Sequence, residues 1–217
     1  MNYLIKRIFT SLLLLCIIYL SIRNSFFLSS FLIILNFLSI SEFNRIYKII
    51  FIKNNFYIFL STFISILYLT TFSLIIWIYL NSTSYIEIIS IIFLLLICIS
   101  TDTGGFVFGK LIGGKKLTKI SPNKTYSGML GSFLFSLIFG YLFFYYQQKF
   151  LELNINVLLF IIIVSFISQI GDLMISFFKR KAKIKDTGTI LPGHGGILDR
   201  IDGILVGIPF GVLLISI

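Results

Sequence analysis

Residues 157–217 read VLLFIIIVSFISQIGDLMISFFKRKAKIKDTGTILPGHGGILDRIDGILVGIPFGVLLISI. Two apolar runs, at about 157–175 and 201–217, flank a polar island that extends from Ser176 to Asp202. An apolar helix needs about 20 residues to cross the hydrocarbon of a bilayer. Each run therefore reads as a membrane span, and the island as a loop at a membrane face. The island holds six of the eighteen Lys and Arg residues, three of the eight acidic residues and the only histidine. Charge gathered in one loop of a charge-poor membrane chain points to chemistry or ion binding there.

Composition agrees with spans throughout. Charged residues make up 12% of the chain, against about 25% in a typical soluble domain, hydrophobic residues make up 58%, and the mean hydropathy is +1.04. The expected fold is all-α: a polytopic membrane helix bundle of about seven transmembrane helices with a cytoplasmic N-terminus. The apolar runs fall at about 4–21, 25–40, 56–80, 85–101, 128–146, 157–175 and 201–217. The first reads as a retained span, because Ser21-Ile22-Arg23-Asn24 follows it where a signal peptide would carry a small-x-small cleavage site. With the N-terminus inside, sixteen cations fall on the cytoplasmic side and only Arg23 and Lys149 on the other. That asymmetry is the positive-inside pattern of short loops. It makes the net charge of +10 an orientation signal and excludes nucleic acid as a partner.

The chain divides by character into N-terminal transmembrane helices (1–80) and a region with a cytoplasmic-face polar site (85–217). A basic connector, Ser41 to Asn55, reads as an interfacial helix. Cys16 and Cys98 lie in apolar runs and read as inert thiols. Glu42, Glu87 and Glu152 read as ordinary loop or boundary residues.

The aspartates do not. Asp102, Asp172, Asp186, Asp199 and Asp202 all stand at or near span ends on the cytoplasmic side of this topology. Asp199 and Asp202, three apart, share one helix face and repel unless a cation lies between them. Asp172, with Ser176 one turn further on, is costly to bury without a partner. A divalent cation on Asp172, Asp199 and Asp202 answers all three problems, and oxygen ligands favour Mg²⁺ or Mn²⁺. Salt bridges to the crowded Lys and Arg residues are the plainer alternative. Pro192-Gly193-His194-Gly195-Gly196 reads as a tight turn whose N–H groups approach an oxyanion, with Lys179, Arg180, Lys185 and Arg200 around it. Upstream, Thr101-Asp102-Thr103-Gly104-Gly105 reads as the end of a span. In Ser121-Pro122-Asn123-Lys124-Thr125, Lys124 and Thr125 are candidate phosphate contacts, the alternative being a basic loop on anionic lipid.

Ser176-x-x-Lys179-Arg180, Lys185-Asp186, Pro192-Gly193-His194-Gly195-Gly196 and Asp199-Arg200-Ile201-Asp202, in that order, closely resemble the signature of the phosphatidate cytidylyltransferases (CDP-diacylglycerol synthases). Gly171-Asp172-Leu173, Ser121-Pro122-x-Lys124-Thr125 and Asp102 with Phe108-Gly109-Lys110 also look like motifs of that family. The resemblance covers about residues 98–202. It implies the transfer of CMP from CTP to phosphatidate, giving CDP-diacylglycerol and pyrophosphate in phospholipid biosynthesis, at the inner membrane of a bacterium. It implies Mg²⁺, with a second, monovalent cation such as K⁺. By position, Asp172, Asp199 and Asp202 are the implied metal ligands, and with Lys179 and Arg180 the implied catalytic set. Ser176, Lys185, Asp186, His194, Gly195, Gly196, Arg200, Lys124, Thr125 and Asp102 are the implied substrate contacts.

The chain departs from the family pattern at Asn123, Tyr126, Ser127 and Ile175. It is also shorter than most members, on its N-terminal side. The expected partners are CTP, phosphatidate and the lipid bilayer, with a homodimer left open. A CTP-dependent polyprenol or lipid kinase is the rival enzyme. A CDP-alcohol phosphatidyltransferase lacks its opening here, since Asp202-Gly203 runs on into Ile-Leu-Val-Gly. A cation transporter would place charge at mid-membrane.

Overall fold

The structure, a computed structural model, describes residues 20, 24–52, 54–118, 121, 124–151, 153–189 and 195–216. Among these residues there are six helices and no strand. They are α1 (Ser25–Ile50), α2 (Asn55–Leu80), α3 (Tyr85–Leu111), α4 (Tyr126–Gln147), α5 (Val157–Lys181) and α6 (Leu198–Ser216). Helices α1 to α5 are each long and apolar enough to cross a membrane. The expected first span, 4–21, lies almost wholly outside the described residues. The chain forms two compact units. One comprises residues up to Asn81 together with Phe178–Ile201, and the other Ser82–Phe177 with Asp202–Ile217.

In the first unit, α1 and α2 form an antiparallel pair. Asn24 caps α1 by accepting the Phe26 N–H at 2.9 Å. Three side-chain hydrogen bonds tie the helices: Trp77 Nε1 to Ser29 at 3.1 Å, Ser73 to Asn36 at 3.0 Å, and Tyr47 with Ser65 at 2.7 Å. Partner numbers that fall on one helix as they rise on the other fix the antiparallel register. The expected break near residue 40 does not occur. Residues 41–50 of the basic connector continue α1 without interruption, giving a helix about 39 Å long at 1.5 Å per residue. The charges that end the apolar run do not end the helix, because Phe43, Ile46 and Tyr47 keep one face of it buried.

In the second unit α3 is the central element. Ile91, Phe93, Leu94, Ile97 and Cys98 are fully buried, and the Phe93 ring stacks on Phe143 and Phe160 at 5.8 and 5.7 Å between centroids. The helix also outruns its expected end. Asp102-Thr103-Gly104-Gly105 lies inside α3, which continues to Leu111. Glycine weakens a helix interior, and here the compensation is contact. A Cβ on Gly104 would enter the backbone of Gly131 on α4, and one on Gly131 would enter the Phe108 side chain. Such close backbone approach is the usual packing device of membrane helices. Helix α6 uses it too. Gly203, Gly207 and Gly211 recur at one face and meet Ser168, Cys98 and Leu94. Outward, Leu130, Ile138, Leu142 and Phe166 stand exposed, as Ile33, Phe37, Phe59 and Ile64 do in the first unit. Exposed apolar residues on this scale suit lipid as the surrounding solvent.

Gly131→Ala should overpack the α3–α4 contact at a cost of about 1–3 kcal/mol. In detergent its apparent melting temperature is expected to fall by about 3–10 °C, while Leu134→Ala, at an exposed position of the same helix, changes little.

Candidate functional site

The polar residues named from the sequence gather in two clusters, one in each unit. The first begins where α5 ends. Lys183 takes a left-handed conformation (φ 56°) and the Ile184 N–H returns to the Lys179 carbonyl at 3.0 Å, closing the helix. This leaves Lys179 facing Asp199 in the first turn of α6. Lys179 Nζ donates to Asp199 Oδ1 at 2.7 Å, with both side chains largely buried. The other oxygen, Asp199 Oδ2, accepts the Thr187 N–H at 2.8 Å, the Gly196 N–H at 3.2 Å and the Thr187 hydroxyl at 3.0 Å. Asp199 precedes the apolar run that starts at 201. Burial alone pushes its carboxyl up, but the Lys179 ammonium and the Thr187 and Gly196 N–H groups outweigh burial and hold it below the ordinary carboxylate value.

Gly195 lies at φ 83°, a conformation that favours glycine, with Asp199 and Asp186 beside it. The Gly196 N–H, read from sequence as free to meet an oxyanion, is donated to the chain's own Asp199. Arg180, Lys185, Asp186 and Arg200 are exposed. His194 lies outside the described residues.

The sequence reading missed Glu42. It is neither a loop nor a boundary residue. It sits within α1, 3% exposed, and its carboxylate accepts the Thr187 hydroxyl at 2.7 Å, the Ile197 N–H at 2.9 Å and the Leu198 N–H at 3.0 Å. The last two are orphan donors at the start of α6. Among the described residues no Lys or Arg forms an ion pair with it. Taking a carboxylate out of water costs several kcal/mol. Three hydrogen bonds to a charged acceptor, each contributing about 1.5–3 kcal/mol, and the positive end of a helix offset that cost. Glu42 belongs to no sequence motif, and the only available signal was an acid in an otherwise basic stretch.

The second cluster is built on the loop 112–125. Positive φ at Gly113 and Gly114 turns the chain, and the Lys116–Thr125 bridge folds it back. Leu117 N–H to the Lys124 carbonyl at 2.7 Å fastens the bridge. Thr125 then caps α4, accepting the Gly128 N–H at 3.1 Å, and Ser127 pairs with the Thr125 hydroxyl. Lys124, placed by this hairpin, forms an ion pair with Asp172 of α5. Ser176 donates weakly to Asp172 at 3.4 Å. Asp202, 8% exposed, accepts the Gly203 N–H at 2.9 Å and lies near enough to Asp172 and Asp102 for their charges to act on it. Asp102 Oδ1 is 3.6 Å from where a Cβ on Gly203 would stand.

Three carboxylates this close are stable only with positive charge or a proton among them. Lys124 supplies positive charge there through its ion pair with Asp172. The oxygen-only donor set matches the preference of Mg²⁺, so the residues present fit such an ion. Among the described residues no three His, Cys, Asp or Glu side chains converge into a ready metal cage.

The model of the cytidylyltransferase family matches residues 4–217, taking in the N-terminal helices as well as the motif-bearing half. A phosphatidate cytidylyltransferase of Staphylococcus epidermidis is 45% identical over 131 residues, covering 58% of this chain and 49% of that protein. Those of Staphylococcus haemolyticus and Staphylococcus aureus are each 44% identical over the same length and shares. The match thus spans about half the length of these curated relatives.

Lys179→Met should leave the largely buried Asp199 with hydrogen bonds but no counter-charge, at a cost of about 2 kcal/mol. The expected readout is an apparent melting temperature lower by about 4–8 °C. Lys185→Met, at an exposed position, should shift it by no more than about 2 °C.

Proposed function

The chain belongs to the cytidylyltransferase family, and on that premise we propose that it transfers CMP from CTP to phosphatidate, giving CDP-diacylglycerol and pyrophosphate. One observation carries the reading: Lys124, from Ser-Pro-x-Lys-Thr, pairs with Asp172, from Gly-Asp-Leu, so two motifs 48 positions apart in sequence meet in the fold.

Phosphatidate offers a phosphate oxygen that is already anionic, and no general base is needed. This oxygen attacks the α-phosphorus of CTP in line. A new P–O bond forms as the bond to the bridging oxygen of the β-phosphate breaks, and pyrophosphate leaves. The obstacle is charge, because two anions must meet. Lys124, Lys179, Arg180, Lys185 and Arg200 lower that obstacle by neutralising phosphate oxygens. Ser176, Thr125, Asp186, His194 and Gly195 orient the polar groups of the substrates, while the Gly196 N–H orients the Asp199 carboxylate. By motif position, Asp172, Asp199 and Asp202 are the proposed magnesium ligands and Asp102 a proposed substrate contact. Magnesium, when bound, neutralises the triphosphate and stabilises the pyrophosphate leaving group.

Membranes carrying the chain should convert radiolabelled CTP and phosphatidate into a lipid that contains cytidine. A lipid kinase would give a phosphorylated lipid and CDP instead. Asp199→Asn should lower formation of the cytidine lipid at least about 100-fold, equivalent to about 3 kcal/mol of transition-state stabilisation, while the protein still inserts at the wild-type level. Retained activity in this variant would remove Asp199 from the metal site.

For topology, we place the N-terminus and the polar site on the cytoplasmic face of a bacterial inner membrane, with seven spans. The sixteen-to-two distribution of cations supports this arrangement. In a chain freed of Cys16 and Cys98, Lys149→Cys should react with a membrane-impermeant maleimide in spheroplasts, and Lys115→Cys only after lysis. The reverse pattern would invert the topology.

A further inference from the structure

Glu42 lies outside every motif behind the proposed function, and its partners are specific. It binds both stems of the loop that joins α5 to α6. Thr187, 145 residues away in sequence, donates to it from one stem, and Ile197 and Leu198 donate from the other. The two stems are shaped around this carboxylate. A Cβ on Gly188 would stand 2.5 Å from Glu42 Oε1, and one on Gly196 would stand 2.6 Å from Oε2. No other residue type fits those two places while Glu42 keeps its position. The Thr187 hydroxyl lies between Glu42 Oε2, at 2.7 Å, and Asp199 Oδ2, at 3.0 Å. It has a single proton, so it serves one carboxylate at a time.

We infer that Glu42 is a positioning residue. It fixes the two stems of the glycine-rich loop and, through Thr187, the orientation of the Asp199 carboxylate. The catalytic part of this inference rests on the reading of Asp199 and the loop given under Proposed function. The clamp itself rests only on the contacts above. A glutamine at position 42 keeps the size of the side chain but turns one of its two acceptors into a donor. It therefore sets an N–H₂ group against a donor of the loop whichever way it lies.

The test uses the full chain in detergent micelles, with Glu42→Gln, Thr187→Val and, as a control outside the network, Glu87→Gln. Amide hydrogen exchange is followed by mass spectrometry on peptides covering 195–198 and, as an internal reference, 55–80 of α2. In parallel, kcat and KM are measured for CTP and phosphatidate. In Glu42→Gln we expect exchange at 195–198 to speed at least tenfold with α2 unchanged. We also expect kcat to fall at least tenfold with KM for phosphatidate within twofold of wild type. Glu87→Gln should move neither readout. Should Glu42→Gln loosen α2 as well, Thr187→Val, which removes only the hydroxyl bridge, decides by the same two readouts. Exchange at 195–198 within twofold of wild type overturns the clamp, and faster exchange with unchanged kcat overturns the positioning role. A wild-type chain that turns over no CTP would sink the proposed reaction, and exchange in nucleotide-free protein would still decide the clamp.

Discussion

A carboxylate removed from water must find donors or a cation, and this requirement orders both polar clusters. Glu42 finds a hydroxyl and two N–H groups at the head of α6. Asp199 finds Lys179 and two backbone N–H groups. Asp172 finds Lys124. In each case the backbone around the acid is arranged to bring those donors within reach. The turn after α5, the glycine-bearing stem before α6 and the folded-back loop before α4 are the forms this takes. A loop in water can leave its N–H groups to solvent. A loop packed around buried acids must give them to those acids, here Asp199 of α6 and Glu42 of α1.

The hydrocarbon imposes the complementary rule on the helices. Lipid tails are as apolar as leucine, so burying leucine between helices contributes little, and close contact decides instead. The residues at the tightest contacts are accordingly small: Gly104 against Gly131, and Gly203, Gly207 and Gly211 on one edge of α6. Larger rings fill the interior elsewhere, as in the Phe93, Phe143 and Phe160 stack. Small hydroxyls bridge helices in the interior, as Thr101 does to Ser165 at 2.9 Å.

Much of this was legible in the chain itself. Uninterrupted apolar runs gave α2 and α4 nearly their full extent, because nothing within them competes with span formation, whereas the run expected to end at 175 continues as helix through residues 176–181, which were expected in the polar loop. The runs failed at charges and glycines. Arg45 and Lys48 hid the last turns of α1, and Asp102 with Gly104 and Gly105 hid those of α3. A helix is stopped by unmet hydrogen bonds or a steric break, and in these stretches a buried face persisted. Lys179, Asp199, Lys124 and Asp172 were visible because their spacing is uncommon and their chemistry costly. Glu42 was invisible, since its meaning lies in partners some 145–156 residues downstream, and no local pattern encodes that distance.

The hydroxyl of Thr187 turns about a single bond between two resting places, one at each neighbouring acid. Its orientation is therefore a comparison of two electric fields. Whatever draws negative charge away from Asp199 tilts the balance toward Glu42, and the α1 side chain then gains what the α6 side chain gives up. The two acids, on helices far apart in sequence, thus share one proton donor.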